Sequence, residues 1–184
     1  LMSDMRFLAA NVFAAASLND AFREIGQEFE KSHAGNLVQF NFSGSQALST
    51  QLQAGAQADL FASANMEEMQ HLIDAGLVAS DASQVFVYNL LVVILPSGNP
   101  AGLTALADLA RPGQKLVLAA EGVPAGRYAR QVLENLNAAY GADFKLHVLA
   151  NVVSNETNVK QVVTKVSLGE ADAGIAYRSD ITAA

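Results

Sequence analysis

The arrangement of apolar residues predicts an α/β fold with mostly parallel sheets. Three observations carry that expectation. Strand-like apolar runs alternate with segments whose apolar residues recur every three or four positions. The connections are short, as they are where helices cross over between parallel strands. Glycine or proline closes most of the helical segments, at Gly76, Pro112-Gly113, Gly141 and Gly169.

In chain order, Phe7–Ala15 reads as a buried strand. A helix follows with Leu18, Ala21, Phe22, Ile25 and Phe29 on one face. Ser17 is its expected N-cap, with Asp20 three positions on as an approximate capping box. Leu37–Phe42 is the next strand, backed by a helix carrying Ala47, Leu48 and Leu52. Asp59–Ala62 is a short strand, and Asn65 caps a helix bearing Met66, Met69, Leu72 and Ile73. Residues 85–95, "VFVYNLLVVIL", form a strand-rich stretch stopped by Pro96 and suited to a crossover between two lobes. A helix over 104–110, a strand over Lys115–Ala119 and a helix over 126–140 follow, the last with Val132, Leu133 and Leu136 inward. Lys145–Ala150 reads as a strand. A helix with Val159, Val162, Val163 and Val166 precedes the final strand, Ala173–Tyr177.

Composition narrows the function classes. At 184 residues and 19.3 kDa the chain fits one large domain or two small lobes. Folding at this size buries roughly 70% of the unfolded surface. Hydrophobic residues at 51% against 16% charged describe a packed protein rather than a disordered one. No apolar run reaches about 18 residues, the length that spans a bilayer as a helix. The start "LMSDMRFLAA" lacks a basic region followed by a long apolar core, so an export signal is expected to be already removed or never present. Without cysteine there is no disulfide, thiolate metal site or cysteine nucleophile. A net charge of −7 with scattered Lys and Arg argues against nucleic acid as a partner.

Two junctions stand out. Ser17 in "VFAAASLNDAF" and Ser45 in "VQFNFSGSQALSTQL" each close a strand and open a helix. A hydroxyl there lies beside unpaired backbone N–H groups at the positive end of a helix dipole, where anions bind without a cationic side chain. In a parallel sheet such junctions share the edge beyond the strands' carboxyl ends. "VPAG" (Val123–Gly126) and "NETNV" (Asn155–Val159) open later helices at the same edge. Read locally, each also has an ordinary explanation. Ser17 is a plain N-cap, Ser45 part of a glycine turn with Ser43 as a helper at best, and Tyr177 a strand-end ring turned into the core.

Taken together, "FAAASLNDAF" (13–22), "FSGSQAL" (42–48), "GAQADLFASA" (55–64), "VPAGRYA" (123–129) and "GEADAGIAYRSD" (169–180) resemble the substrate-binding proteins of molybdate ABC transporters, which have the type II periplasmic binding-protein fold. The motifs come in the family's order and spacing over nearly the whole chain. The resemblance implies two lobes, residues 1–86 and 87–175, with 176–184 beginning a return crossover. It implies capture of molybdate or tungstate in the cleft between the lobes, for a permease in the membrane. The oxyanion contacts it implies are Ser17 and Ser45 through hydroxyl and backbone N–H, Ala125 and Val159 through backbone N–H, and Tyr177 through its phenol. It implies no catalytic residue, no cofactor and no metal held by side chains; molybdenum or tungsten enters only as the oxyanion. It further implies a periplasmic or extracytoplasmic location, and a chain that stops at Ala184 without the C-terminal return segment. That shortening leads to the expectation of an exposed edge in the first lobe, with oligomerisation as a remedy.

Other groups are weighed against this reading. Arg127 is the arginine near an inferred contact and is expected to run along its helix surface; a carboxylate ligand would want an arginine fork. Arg178 and Asp180 are expected to pair locally, and Glu156 and Asn158 lie near the inferred Val159 contact. His33, His71 and His147 are far apart and lack metal-ligand spacing. Neither "GVPAG" nor "SGSQ" is a P-loop, and G-x-S-x-G is not met at Ser45. No catalytic set emerges, and no basic helix-turn-helix marks a regulator. The alternative is a binding protein for another oxyanion such as sulfate, or for a small organic acid.

Overall fold

A computed structural model describes residues 8–181, so Phe7 of the first expected strand and residues 182–184 lie outside the described part. The chain divides between Val85 and Phe86 into two compact units.

The first unit runs β1 (Leu8–Ala15), α1 (Asn19–Ser32), β2 (Asn36–Ser43), α2 (Ser45–Gln53), β3 (Leu60–Ala62) and α3 (Met66–Asp74). Its sheet is parallel throughout, in the order β2-β1-β3. Val12, Ala14 and Ala62 form its core, with Leu18, Phe22, Val38, Phe40 and Phe42 packed against them. The face that α1 buries is not the one its apolar spacing suggests. Ile25 and Phe29 are 61% and 41% exposed, and Ala21 is exposed too. The inward stripe is Phe22, Gly26 and Glu30. A Cβ on Gly26 would stand 2.8 Å from the Phe40 ring, so the missing side chain is what admits the aromatic. Glu30 Oε1 accepts the Val38 N–H at 2.7 Å, covering a donor on the edge strand β2.

The second unit runs β4 (Leu91–Ile94), β5 (Leu116–Ala119), α4 (Pro124–Tyr140), α5 (Phe144–Ala150), β6 (Val152–Glu156), α6 (Val159–Ser167) and β7 (Ala173–Tyr177). Its sheet order is β4-β7-β5-β6; only β4 is antiparallel to its neighbour. Both faces are covered, as in parallel sheets generally. Leu116, Leu118, Ala173 and Ile175 pack on one side with Leu133, Phe144 and Val148. Val117, Ala119 and Ala176 pack on the other with Val162 and Val166.

Four expectations are corrected here. Lys145–Ala150 lies in helix α5, and the strand comes after it as β6. The segment "KLHVLA" is too short for periodicity to decide, and tertiary packing of Phe144 and Val148 makes it helical. Val132 is 41% exposed while Leu133 is buried, a shift of one position around α4. In the strand-rich stretch only Leu91–Ile94 pairs as a strand, with Tyr88 89% exposed upstream. The expected helix over 104–110 is a short 3₁₀ turn, Leu106–Ala110.

Both units set the register of their last strand with the same device. Asp59, just before β3, accepts the Asn11 N–H on its carboxylate and donates its own N–H to the Asn11 carbonyl, both at 2.8 Å. Asp172, just before β7, accepts the Lys115 N–H at 2.7 Å and returns its N–H to the Lys115 carbonyl at 2.7 Å. Each clamp sits immediately ahead of the first paired residues, Val12 with Leu60 and Leu116 with Ala173.

Gly174 lets α6 lie directly on β7. A Cβ there would stand 2.8 Å from Val162 Cγ1 and 2.9 Å from Val166 Cγ2. Gly174→Ala is expected to lower stability by about 1–3 kcal/mol through overpacking. Thermal melts of Gly174→Ala, Val162→Ala and the double variant check this: part of the loss returns in the double variant, whereas strictly additive losses would mean the methyl meets no such obstacle.

Candidate functional site

Because β5, β6 and β7 run parallel, they finish at one edge of the second unit, at Ala119, Glu156 and Tyr177. Helices α4 and α6 start at that edge. Ala125, Val159 and Tyr177 belong there to a single buried cluster with Ala119 and Val123. The three contacts expected in this unit are therefore brought together.

Each helix start presents backbone donors. In α4 the first residue is Pro124, which has no N–H and a preset φ, so the amides on offer begin at Ala125. The turn lies so close to β5 that a Cβ on Gly126 would stand 2.1 Å from the Ala120 carbonyl oxygen and 2.3 Å from that of Ala119. Only glycine permits the approach. In α6 the Asn158 side chain accepts the Gln161 N–H at 3.1 Å, and Val159 follows as the first helical residue, its N–H without an intrahelical acceptor.

Tyr177 ends β7 and is only 6% exposed. Its hydroxyl is buried and has no hydrogen-bond partner among the described residues. Burial pushes its ionisation well above the usual tyrosine range, and the neighbouring Tyr128 phenol and Asp180 carboxylate add to the shift. The group is thus a neutral O–H donor across the physiological range, held without an acceptor.

The surrounding charges are held in place. Arg130 donates to the carbonyls of Ala119 and Gly126, both at 2.9 Å, and to Asn155 Oδ1 at 2.7 Å. It joins the end of β5, the first turn of α4 and β6. Glu156 pairs with Lys165 at 2.7 Å and accepts from Ser154. Burial opposes its ionisation, but those two hydrogen bonds and the Lys165 charge outweigh it and hold the carboxyl below its usual range. Asp180 does not pair with Arg178 as expected. Its buried carboxylate accepts the Tyr177 N–H at 3.1 Å and meets Lys160 Nζ at 3.4 Å.

In the first unit β1 and β2 likewise finish together, at Ala15 and Ser43. Ser45 is the first residue of α2, is 1% exposed, and accepts the Ala64 N–H on its hydroxyl at 3.0 Å. A hydroxyl that accepts still has its own proton to donate. Ser17 is half-buried in a one-turn 3₁₀ helix, Ala16–Leu18, that runs straight into α1. It is not the N-cap: that position belongs to Leu18, in the helical region, with no side-chain capping bond. The turn's own backbone bonding replaces the cap, so the hydroxyl is not spent on it. Sequence reasoning missed Arg130, Lys160 and the buried role of Asp180. The one available signal was Arg130 lying four residues after Gly126, on the same helix face.

Among the described residues no group of His, Cys, Asp or Glu is arranged to hold a metal ion. None of their helices is long and apolar enough to cross a membrane. Residues 10–184 match the family described as bacterial extracellular solute-binding protein. The chain belongs to that family. It is 42% identical over 169 residues to the molybdate-binding protein ModA of Mycobacterium tuberculosis, covering 92% of itself and 60% of that protein. The chain thus spans 60% of the length of the curated relatives it matches at that identity. It is also similar to the substrate binding domain of a putative molybdenum ABC transporter from Clostridium difficile, at 33% identity and a TM-score of 0.64, over 96% of this chain and 74% of that one. The periplasmic molybdate-binding protein of Azotobacter vinelandii shares the fold at 23% identity and a TM-score of 0.74, over 94% of this chain and 72% of that one. The solute-binding family is one of binding proteins rather than enzymes.

An unpartnered buried hydroxyl costs stability in the ligand-free protein. Tyr177→Phe is therefore expected to leave the ligand-free protein equally stable or up to about 1–2 kcal/mol more stable. The two chains also separate at alkaline pH. The Tyr177 phenol ionises higher in the folded state than in the unfolded chain, so its contribution is constant below about pH 10 and lost as pH rises above it. Denaturant titrations at pH 8 and above pH 10 check this: wild type loses up to about 1.4 kcal/mol more per pH unit than Tyr177→Phe above pH 10. Parallel pH profiles would remove the buried phenol from the account.

Proposed function

We propose that this chain is the solute-capturing component of an ABC transporter and that its solute is molybdate or tungstate. The observation that carries the reading is the Tyr177 hydroxyl, buried and without an acceptor, at an edge where Ala125 and Val159 open helices. A dianion supplies the acceptor that the phenol lacks. Ser17 and Ser45, where β1 and β2 end in the first unit's own sheet, are proposed as further donors on the strength of the family resemblance. The likeness to relatives named for molybdate supports this choice of anion.

All five contacts are neutral donors, through hydroxyl, phenol or peptide N–H. Hydrogen bonds to a charged acceptor contribute about 1.5–3 kcal/mol each, enough to hold a dianion on a chain of net charge −7, since distant charges are screened beyond about 8–10 Å. Discrimination follows from shape and protonation. Sulfate is smaller and cannot reach every fixed donor. Phosphate carries a proton near neutral pH, and a donor-only site offers it no acceptor. Molybdate and tungstate are nearly isosteric, so both bind. The captured anion passes to a membrane permease, and the chain acts on the periplasmic or extracytoplasmic side of the membrane, with no cofactor of its own.

Thermal unfolding with molybdate, tungstate, sulfate or phosphate at matched ionic strength tests this. Anion at 100 times Kd raises stability by about 2.7 kcal/mol. The expected result is a rise with molybdate and tungstate only, reduced at least tenfold in affinity by Tyr177→Phe, the loss of one bond to a charged acceptor. Preference for sulfate or a small carboxylate would replace the assigned solute; equal rises with all four anions would mean nonspecific stabilisation.

A further inference from the structure

We propose that Arg130 is a positioning residue that sets the anion selectivity of this edge, by fixing where the Ala125 N–H stands relative to that of Val159. The inference rests on the reading of the edge as a dianion site. The two amides belong to different helices, and each helix follows a different strand: α4 comes after β5 and α6 after β6. Their spacing therefore depends on how α4 seats on the ends of β5 and β6. Arg130 lies in the second turn of α4 and reaches all three elements. Its Nη1 donates to the carbonyl of Ala119, the last residue of β5, and to that of Gly126 in the first turn of α4, both at 2.9 Å. Its Nη2 donates to Asn155 Oδ1 in β6 at 2.7 Å.

The sequence brings these acceptors together and gives them one donor group. Gly126 lets the start of α4 press on the end of β5, where a Cβ would stand 2.3 Å from the Ala119 carbonyl oxygen. The carbonyl oxygens of Ala119 and Gly126 then lie within reach of a single nitrogen. A guanidinium suits the task because its donors form a rigid, permanently charged fork, whereas an ammonium is a point charge on a flexible stem. Both hydrogens of Nη1 are taken by backbone, so the group acts through the peptide units rather than on the anion. Backbone bonds brace the same turn: the Ala120 N–H donates to the Glu156 carbonyl at 2.8 Å and the Val123 N–H to the Ala120 carbonyl at 2.9 Å. With α4 stapled in this way, the Ala125 and Val159 donors keep a fixed separation. An anion too small to span it loses one of them. Without the staple, the start of α4 can follow a smaller anion inward.

Isothermal titration of wild type, Arg130→Lys, Arg130→Met and Asn155→Ala with molybdate and with sulfate, at low and high salt, tests the assignment. Arg130→Lys keeps the charge and loses the fork. It is expected to lower the molybdate-to-sulfate preference about tenfold, the worth of one bond to a charged acceptor, mainly through weaker molybdate binding. Arg130→Met is expected to show the same fall in preference. Asn155 is exposed, and its replacement by alanine removes only the link to β6. A fall of about threefold is expected there, since the two carbonyl bonds remain. If Arg130→Lys behaves as wild type while Arg130→Met weakens both anions equally, with a shallower salt dependence, the proposal is overturned in favour of a charge role. Lower melting temperatures with both affinities unchanged would overturn it in favour of a purely structural role. Should the Arg130 variants fail to fold, Asn155→Ala decides, because an unaltered preference there overturns the proposal equally. Wild type that binds neither anion brings down the functional reading and this inference with it. Wild type that prefers molybdate beside variants of the same preference brings down this inference alone.

Discussion

The depth of Tyr177 is set at the far end of its own strand. Asp172 exchanges two short hydrogen bonds with the Lys115 backbone just before β7 pairs with β5. Since strand side chains alternate between faces, a slip of one residue would turn β7 inside out. With the clamp in place, Gly174 falls where α6 needs bare backbone and Tyr177 falls at the carboxyl edge, beside the helix starts. The rest of the edge depends on that register. Arg130 then draws the end of β5 and the first turn of α4 together, and Gly126 leaves room for them to meet.

The chemistry of the edge follows from what is held and what is not. Arg130 is engaged with backbone carbonyls and the Asn155 amide, and Glu156 with Lys165, while peptide N–H groups and a phenol remain to be used. Such donors cannot change protonation state near neutrality, and backbone donors cannot swing to follow a smaller ligand. An acidic chain can bind an anion this way because helix starts act at close range, while the net charge acts through screened solvent.

Much of this was legible in the sequence. The alternation of strands and helices was visible in β1, β2, β5, α4, α6 and β7, because long periodic segments with glycine or asparagine at their ends leave few alternatives. Ser45, Ala125, Val159 and Tyr177 were placed correctly at helix starts or a strand end, since local sequence governs those junctions. Where tertiary contacts decide, the reading failed. Segment 145–150 gained its helix from packing, and the inward face of α1 was hidden behind Gly26 and Glu30, which no apolar count would select. Ser17 lost its cap to a 3₁₀ turn whose bonds are all backbone. Arg130 and the Lys160–Asp180 pair join residues far apart in sequence, a partnership that spacing alone cannot reveal.

The paired aspartate clamps also bear on how each unit acquires its structure. Asp59 must find Asn11 across 48 residues, and Asp172 must find Lys115 across 57. Closing loops of that length costs chain entropy before any ladder bond offsets it, which makes parallel pairing slow relative to helix growth. The helices between the clamped strands can form on local contacts, but the strand that fixes the edge joins only when its distant partner arrives. In each unit the edge therefore takes shape late in folding, after the helices that will border it.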